Sequence, residues 1–210
     1  MDTLEHPILI VEDFDHVREL LEATLIHRGY IVVSARDGME ALDRIKKQEP
    51  SLILADIMMP KMDGFALAQK VRSNPKTEHI PILFISATFI TQEDIDFALS
   101  LGAVSFLEKP IDAQELVLTV GEILTGVHTE IPEPLSDEHF QKGYRKRLEA
   151  KLKQKYDQIT RAERLVESVP EKQRQEFEAL LCQTKAQYRQ IAKELEILNE
   201  ESGSRKESPL

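Results

Sequence analysis

The chain has 210 residues, and its 41% hydrophobic and 30% charged content are typical of a folded domain rather than a disordered chain. No apolar run approaches the roughly 20 residues that cross a bilayer, and no signal-peptide pattern is present, so we expect a cytoplasmic protein. The single cysteine, Cys182, excludes an intramolecular disulfide framework.

Charge and composition divide the chain into two parts. Residues 1–136 contain 11 Lys and Arg against 23 Asp and Glu, whereas residues 137–210 contain 16 against 14. The change falls in a polar stretch interrupted by prolines, which is typical of a linker. We therefore predict a domain over 1–128, a linker over 129–136, a helical region over 137–200 and a disordered tail over 201–210.

Strand-like and helix-like segments alternate through the first domain. Short apolar runs predict strands at 6–11, 30–33, 52–55, 80–85 and 103–107. Helical spacing and end signals predict helices at 14–28, 38–47, 65–71, 91–101 and 113–124. Strict alternation implies a parallel sheet with helices on both faces, so we predict a doubly wound, flavodoxin-like α/β fold with strand order 2-1-3-4-5.

Chemically active side chains stand where the predicted strands end. They are Glu12 and Asp13, Asp56, Ser86 and Lys109. Because the carboxyl ends of parallel strands meet at one edge, we expect these side chains to converge there. Three carboxylates repel one another unless a cation lies among them, and oxygen ligands favour Mg²⁺. With an added ammonium and hydroxyl, the group predicts phosphoryl transfer to the Asp56 carboxylate.

Roughly residues 7–125 resemble the receiver domain of two-component response regulators. The matching motifs are Glu12-Asp13, Asp56 followed by Met-Met-Pro-Lys-Met-Asp-Gly, Ser86-Ala87, Phe106, and Lys109-Pro110. Each motif alone is weak, but together they span the domain in the order and spacing of the family. Glu12, where aspartate is also common, and Phe106, which lacks the hydroxyl of tyrosine, are mild departures from the pattern.

The resemblance implies a phosphorylation site. Asp56 would be the phosphoacceptor, and a sensor histidine kinase would be the donor. Mg²⁺ would be the cofactor, held by Glu12, Asp13, Asp56 and the main-chain carbonyl of Met58. No turnover of an external substrate is implied, so we do not expect an enzyme.

The resemblance also implies a switch. Lys109 would pair with the phosphoryl group, and the Ser86 hydroxyl would move toward a phosphoryl oxygen. Phe106 would rotate to report the change, although a buried Phe in a strand is also common as plain core packing. A cis peptide between Lys109 and Pro110 is expected as well, since cis costs little before proline.

Beyond the linker the sequence predicts two helices. Ser136 and the acidic residues after it favour a helix start, and Ser168-Val169-Pro170-Glu171 interrupts the pattern. In the second helix the apolar positions recur every 3.5 residues, as in a coiled coil; they are Phe177, Leu181, Thr184, Tyr188, Ile191, Leu195 and Leu198. An antiparallel hairpin and a continuous dimeric rod both fit, and the break with its own capping signals near the midpoint favours the hairpin. Either stripe needs a partner, so we expect self-association or a protein partner through 137–200.

Two alternatives concern the helical region. Residues 142–161 hold 8 basic against 2 acidic side chains, which would suit nucleic acid, although such a run is usually a solvated helix face. His139, followed by Lys142-Gly143, is similar to the short motif of histidine phosphotransfer domains. It would make the chain a phosphorelay intermediate, whereas a surface histidine explains the same residues.

Overall fold

The structure, a computed structural model, describes residues 6–87, 92–126 and 135–204. The chain divides into two compact units, the α/β unit (residues 1–136) and the helical unit (residues 137–210). The predicted linker, 129–136, stands immediately before this division, and its residues 129–134 lie outside the described residues.

The α/β unit alternates five strands with five helices. The strands are β1 (Ile8–Val11), β2 (Val32–Ala35), β3 (Leu52–Asp56), β4 (Ile82–Ala87) and β5 (Ala103–Lys109). The helices are α1 (Asp15–His27), α2 (Gly38–Lys47), α3 (Gly64–Arg72), α4 (Gln92–Ser100) and α5 (Ala113–Leu124). All neighbouring strands are parallel, in the order β2-β1-β3-β4-β5. The predicted flavodoxin-like fold is confirmed.

The centre of the sheet forms the core of this unit. Every residue of β1 and β3 is buried, as expected for parallel strands covered on both faces. Leu21 and Leu25 of α1, together with Leu116 and Val120 of α5, belong to the same apolar cluster as these strands. Burying one such side chain stabilises the fold by roughly 2 kcal/mol, so the two strands are firmly fixed.

Three strands start two residues later than the sequence predicts. β1 begins at Ile8, after Pro7, which has no backbone N–H to donate to a neighbouring strand. β2 and β4 start late for a different reason. β2 begins at Val32 because the Tyr30 N–H donates to the Leu25 carbonyl at the end of α1 (3.2 Å). β4 also begins two residues late, because the Ile80 carbonyl accepts a hydrogen bond from Arg72 (2.7 Å) in place of a neighbouring strand. In both cases a neighbouring helix uses the backbone groups that the strand would have needed.

Aspartates begin three of the helices that follow strands. Asp37, Asp63 and Asp112 are the N-caps of α2, α3 and α5. Each carboxylate accepts a hydrogen bond from the backbone N–H three residues later, at 2.8 to 2.9 Å. Such a cap stabilises a helix by about 1 kcal/mol. These caps fix the loops around the carboxyl edge of the sheet.

The helical unit consists of α6 (Asp137–Ser168) and α7 (Glu171–Ser204). They form an antiparallel hairpin with its turn at Val169 and Pro170: Lys155 donates to Gln187 (2.8 Å), and Lys185 pairs with Glu163 (2.7 Å). Of the two geometries that the sequence leaves open, the structure has the hairpin.

Apolar residues at heptad spacing form the buried part of the helical unit. They are Phe140, Tyr144, Leu148, Ala162, Ile191 and Leu198. α7 continues to Ser204, so residues 201–204 are helical rather than part of the expected disordered tail. The remaining tail, 205–210, lies outside the described residues. Within the ranges described, no helix combines the length and apolarity that a membrane crossing requires.

Candidate functional site

Three carboxylates meet at the carboxyl edge of the sheet. β1 and β3 are parallel neighbours in which Val11 lies opposite Ala55. The residues that follow them, Glu12 and Asp56, therefore reach the same level of the edge. One carboxylate oxygen from each of Glu12, Asp13 and Asp56 lies within 4.8 Å of the other two. The structure thus brings together the acidic residues that end these strands.

Lys109 places an ammonium between two of these carboxylates. It is the last residue of β5, and its Nζ donates to Glu12 Oε2 at 2.6 Å and to Asp56 Oδ2 at 3.0 Å. Hydrogen bonds between charged groups are short and strong, so this amine fixes the spacing of the two carboxylates. The peptide between Lys109 and Pro110 is cis, as the resemblance implies.

Burial and mutual repulsion shape the charges of the site. Burial raises the pKa of the Glu12 and Asp13 carboxyls, and the negative charge of Asp56 raises both further. Burial alone would lower the pKa of Lys109, but the attraction of Asp56 and Glu12 outweighs it, so the pKa of this amine is raised. Lys109 is therefore held as an ammonium, and the carboxylates gain from any further positive charge.

One carboxylate oxygen in the site has no hydrogen-bond donor. Asp13 Oδ1 is buried and accepts no hydrogen bond from the residues that the structure describes. A buried acceptor without a donor is costly unless another group satisfies it. Mg²⁺ binds through oxygen ligands and keeps several waters. The donor set of Glu12, Asp13 and Asp56 therefore fits a divalent cation of this kind.

Met58 supplies backbone groups beside the same carboxylates. Its N–H donates to Asp56 Oδ1 at 3.3 Å, which places this peptide next to the predicted acceptor. Its side chain is exposed, so the backbone, rather than the thioether, is the part that the site holds. The main-chain carbonyl as a metal ligand stays a prediction.

The two predicted switch residues lie on β4 and β5. Ser86 is buried and stands one residue beyond Ile85, the partner of Asp56 in the sheet. Phe106 is half-buried on β5 and lies opposite Phe84. Both are in the α/β unit on strands that lead to the site. Their predicted movements remain predictions.

The sequence analysis missed one residue that supports the acidic pair. Arg18 is buried on α1, donates to the Glu12 carbonyl at 2.8 Å and pairs with Asp15. It thereby holds the peptide that joins Glu12 to Asp13. The available signal was its place in α1, because Arg18 shares the helix face of the buried Leu21 and Leu25.

Gly64 allows the chain to pass directly beneath the acceptor residue. A Cβ at this position would lie 2.4 Å from the Asp56 carbonyl oxygen and 3.0 Å from the Ile57 Cα. Neither atom is a side-chain end that could move aside. The sequence suggests only a turn for Gly64, whereas the structure shows that close backbone approach also requires a glycine.

Comparison with known proteins gives the same result along the same residues. Residues 8–121 match the family model described as the response regulator receiver domain. Over 120 residues the chain is 37% identical to the ycf27 protein of Porphyridium aerugineum, described as a probable transcriptional regulator. That match covers 57% of this chain and 48% of the relative.

Two further relatives show how far the likeness extends. The response regulator PleD of Caulobacter vibrioides is 43% identical over 105 residues, which are 50% of this chain and 23% of PleD. The solved structure of the chemotaxis protein CheY4 of Vibrio cholerae superposes with a TM-score of 0.53 at 31% identity, covering 56% of this chain and 98% of CheY4. The chain thus spans less than half the length of ycf27 and PleD.

Proposed function

The chain belongs to the response regulator receiver domain family of two-component signalling, and from this we propose that it accepts a phosphoryl group on Asp56 from a histidine kinase. The observation that carries the proposal is the Lys109 ammonium, which bridges Glu12 and Asp56 beside the unsatisfied Asp13 oxygen. Carboxylates that served only the fold would be expected to have all their oxygens satisfied by hydrogen-bond donors.

In the proposed reaction a carboxylate oxygen of Asp56 attacks the phosphorus atom of a phosphohistidine. A P–O bond forms while the P–N bond breaks, and its electron pair returns to the donor imidazole. Lys109 offsets negative charge on the phosphoryl oxygens. Glu12, Asp13, Asp56 and the Met58 carbonyl would hold Mg²⁺, which supplies further positive charge to these oxygens when bound.

The proposed output passes through Ser86 and Phe106. The Ser86 hydroxyl would donate to a phosphoryl oxygen, and Phe106 would repack as the local structure shifts between two states. The burial of Ser86 near the end of β4 and the half-burial of Phe106 on β5 support this route. The proposed reaction turns over no substrate other than the aspartyl phosphate of the chain itself.

A matched pair of variants tests the acceptor. We expect Asp56→Asn to abolish labelling by a ³²P-phosphorylated histidine kinase or by acetyl phosphate. Asp63→Asn is the control, because Asp63 is equally buried at 4% exposure and an asparagine can still cap α3. Ser86→Ala should accept the label, but phosphorylation should change its self-association or partner binding less than in the native chain. Undiminished labelling of Asp56→Asn would overturn the assignment.

For the helical unit we propose self-association or binding of a protein partner, controlled by phosphorylation. Large apolar side chains that stay exposed on the hairpin support this; they are Tyr156, Leu165, Leu180 and Ile197. Sedimentation of the full chain with and without acetyl phosphate should show a change in mass. An unchanged monomer would oppose self-association and leave binding of a protein partner as the proposed role of the helical unit.

Two alternatives for the helical unit stay predictions. Nucleic-acid binding through residues 142–161 would show steeply salt-dependent affinity. Phosphorelay through His139, which is exposed in the first turn of α6, would be lost in His139→Gln while Asp56 labelling persisted. The cytoplasmic location also stays a prediction.

A further inference from the structure

The loop that follows the proposed acceptor, residues 57–63, is tied to the start of α2. We call it the acceptor loop. The Asp37 carboxylate makes the tie: Oδ1 accepts from the Glu40 N–H at 2.9 Å, and Oδ2 accepts from Lys61 Nζ at 2.6 Å. The Asp37 side chain is 3% exposed and that of Lys61 is 71% exposed. The fixed partner of the pair therefore belongs to the helix, and the lysine reaches it from the loop.

A second contact joins the acceptor loop to the first residue of α2. The Gly38 N–H donates to the Met62 carbonyl at 3.1 Å. A Cβ on Gly38 would lie 2.6 Å from Met62 Cγ and 2.9 Å from the Met62 carbonyl oxygen. The backbone of the loop is thus too close to α2 for any side chain between them.

Lys61 itself adopts a backbone conformation that side chains disfavour. Its φ is +64°, and no other non-glycine residue in the described part of the chain has a positive φ. A residue with a Cβ persists there when the surrounding structure holds it. Its ion pair with Asp37 and the adjoining contact at Met62 are the interactions that hold it.

The tie lies close to the backbone that faces the carboxylates. The Ile57 carbonyl accepts from the Gly64 N–H at 3.0 Å, and the Met62 N–H donates to the Pro60 carbonyl at 2.7 Å. The first bond closes the acceptor loop and the second forms a tight turn within it, and Met58 lies between Ile57 and this turn with its N–H on Asp56. Movement at Lys61 would reach Met58 through only two intervening residues.

We propose that Lys61 and Asp37 form a positioning pair, which holds the acceptor loop so that the Met58 carbonyl faces the cation site. The proposal rests on the proposed function, because that function makes this carbonyl a ligand. Neither residue touches the reacting atoms. Groups that orient the ligands of a metal commonly change its affinity by about tenfold or more when removed.

The test compares two lysine variants in the full chain. We expect Lys61→Met to raise the Kd for Mg²⁺, measured by titration calorimetry, by about tenfold. The amides of Met58, Met59, Lys61 and Met62 should also exchange with deuterium faster when no Mg²⁺ is present. Lys46→Met is the matched control, because Lys46 pairs with Asp43 at 3.0 Å on the exposed side of α2, and it should leave both measurements unchanged.

Two further variants separate positioning from stability. Lys61→Arg keeps the charge and should restore most of the Mg²⁺ affinity. Lys61→Gly removes the amine and also the steric cost of the positive φ, because glycine adopts that conformation freely. It should stay folded and show the same loss of Mg²⁺ affinity and the same fast amide exchange. Lys61→Met and Lys61→Gly leave the buried Asp37 carboxylate without its lysine, so both should lower the unfolding midpoint, and Lys61→Arg should not. Mg²⁺ affinity and amide exchange are therefore measured at a temperature at which every variant is fully folded.

Each outcome decides something. Unchanged affinity and unchanged loop exchange in Lys61→Met would overturn the positioning pair. Equal losses in Lys61→Arg and Lys61→Met would also overturn it, because the charge would then not matter. If the native chain bound no Mg²⁺, the proposed function would fail instead, and loop exchange would still show whether the pair holds the loop.

Discussion

The two units of this chain bury their residues in different ways. In the α/β unit whole strands are enclosed, so that β1 and β3 have no exposed residue. In the helical unit burial is confined to single positions along one seam, such as Leu148 and Ile191. A side chain in β1 or β3 is therefore surrounded by neighbours, whereas a buried side chain in the hairpin belongs to a seam with exposed positions beside it.

Buried charge follows the same division. The α/β unit encloses six charged residues, namely Glu12, Arg18, Asp37, Asp56, Asp63 and Arg72, whereas Thr184 is the buried polar residue of the helical unit as described. A buried charge needs several partners at fixed positions. A core that is buried on both faces of a sheet can therefore hold charged groups at fixed positions. A single buried seam between two helices is better suited to contacts that form and separate.

The largest effect should come from removing a buried charge. Arg72 is 1% exposed and donates to the carbonyls of Glu78 (2.8 Å), Ile80 (2.7 Å) and Gly102 (2.7 Å). Burial lowers the pKa of its guanidinium to about 10, so it remains charged at neutral pH. Arg72→Met should lower the free energy of unfolding of the α/β unit by about 3 kcal/mol, because these acceptors lose their donor.

Urea unfolding followed by NMR of individual amides measures this loss in each unit separately. Arg44→Met is the control, because the Arg44 side chain is half-exposed and pairs only with Glu40; its cost should be below about 0.5 kcal/mol. Equal losses of unfolding free energy in the two variants, or in both units, would contradict the idea that the core of the α/β unit depends on its buried charges.

The second effect tests how narrow the seam of the hairpin is. Ile191 is 5% exposed and Ile197 is 45% exposed, on the same helix. Ile191→Ala should destabilise the helical unit by about 2 kcal/mol through lost burial and a cavity. Ile197→Ala should change it by less than about 0.5 kcal/mol. The same urea experiment reports both, and similar losses would mean that the hairpin is covered on two faces.

The smallest expected effect is the stabilisation that Mg²⁺ gives to the α/β unit and not to the helical unit. At ten times its Kd, Mg²⁺ should raise the free energy of unfolding of the α/β unit by about 1.4 kcal/mol. The helical unit should not respond. Asp13→Asn should abolish most of the increase, whereas Asp43→Asn, an exposed change on α2, should preserve it. An increase that survives in Asp13→Asn would remove this carboxylate from the cation site.

Most of the α/β fold could be predicted because its signals are local. Each strand is an apolar run, and each helix follows a turn or a capping residue. The meeting of Asp56 with Lys109 could be predicted as well, because both residues end strands and parallel strands end at one edge. Long-range proximity here follows from topology, so no knowledge of side-chain packing was needed.

The residues that could not be predicted depend on packing between distant loops. Arg72 stands in the last turn of α3, where a basic residue usually meets solvent, yet it binds three carbonyls from two other segments. Asp37 could be identified as a helix cap, but its second partner, Lys61, is 24 residues away. Only the path of the acceptor loop brings them together.

The hairpin could be favoured over a rod from the break at Val169 and Pro170, but the heptad stripe itself could not decide between them. A heptad stripe specifies that a helix needs a partner, but it does not specify which helix the partner is. The choice is made by contacts between the two helices, such as Lys155 with Gln187, and by a turn of two residues at Val169 and Pro170.

The hairpin also gives the helical unit mechanical leverage. α6 has 32 residues, which at a rise of about 1.5 Å per residue makes an arm of about 48 Å from Asp137 to the turn. Tilting such an arm by about 5° at its base would sweep the turn through about 4 Å. A displacement of that size is enough to separate two atoms in van der Waals contact. A small rotation at Asp137 is therefore enough to make or break any contact that the turn at Pro170 has with a partner.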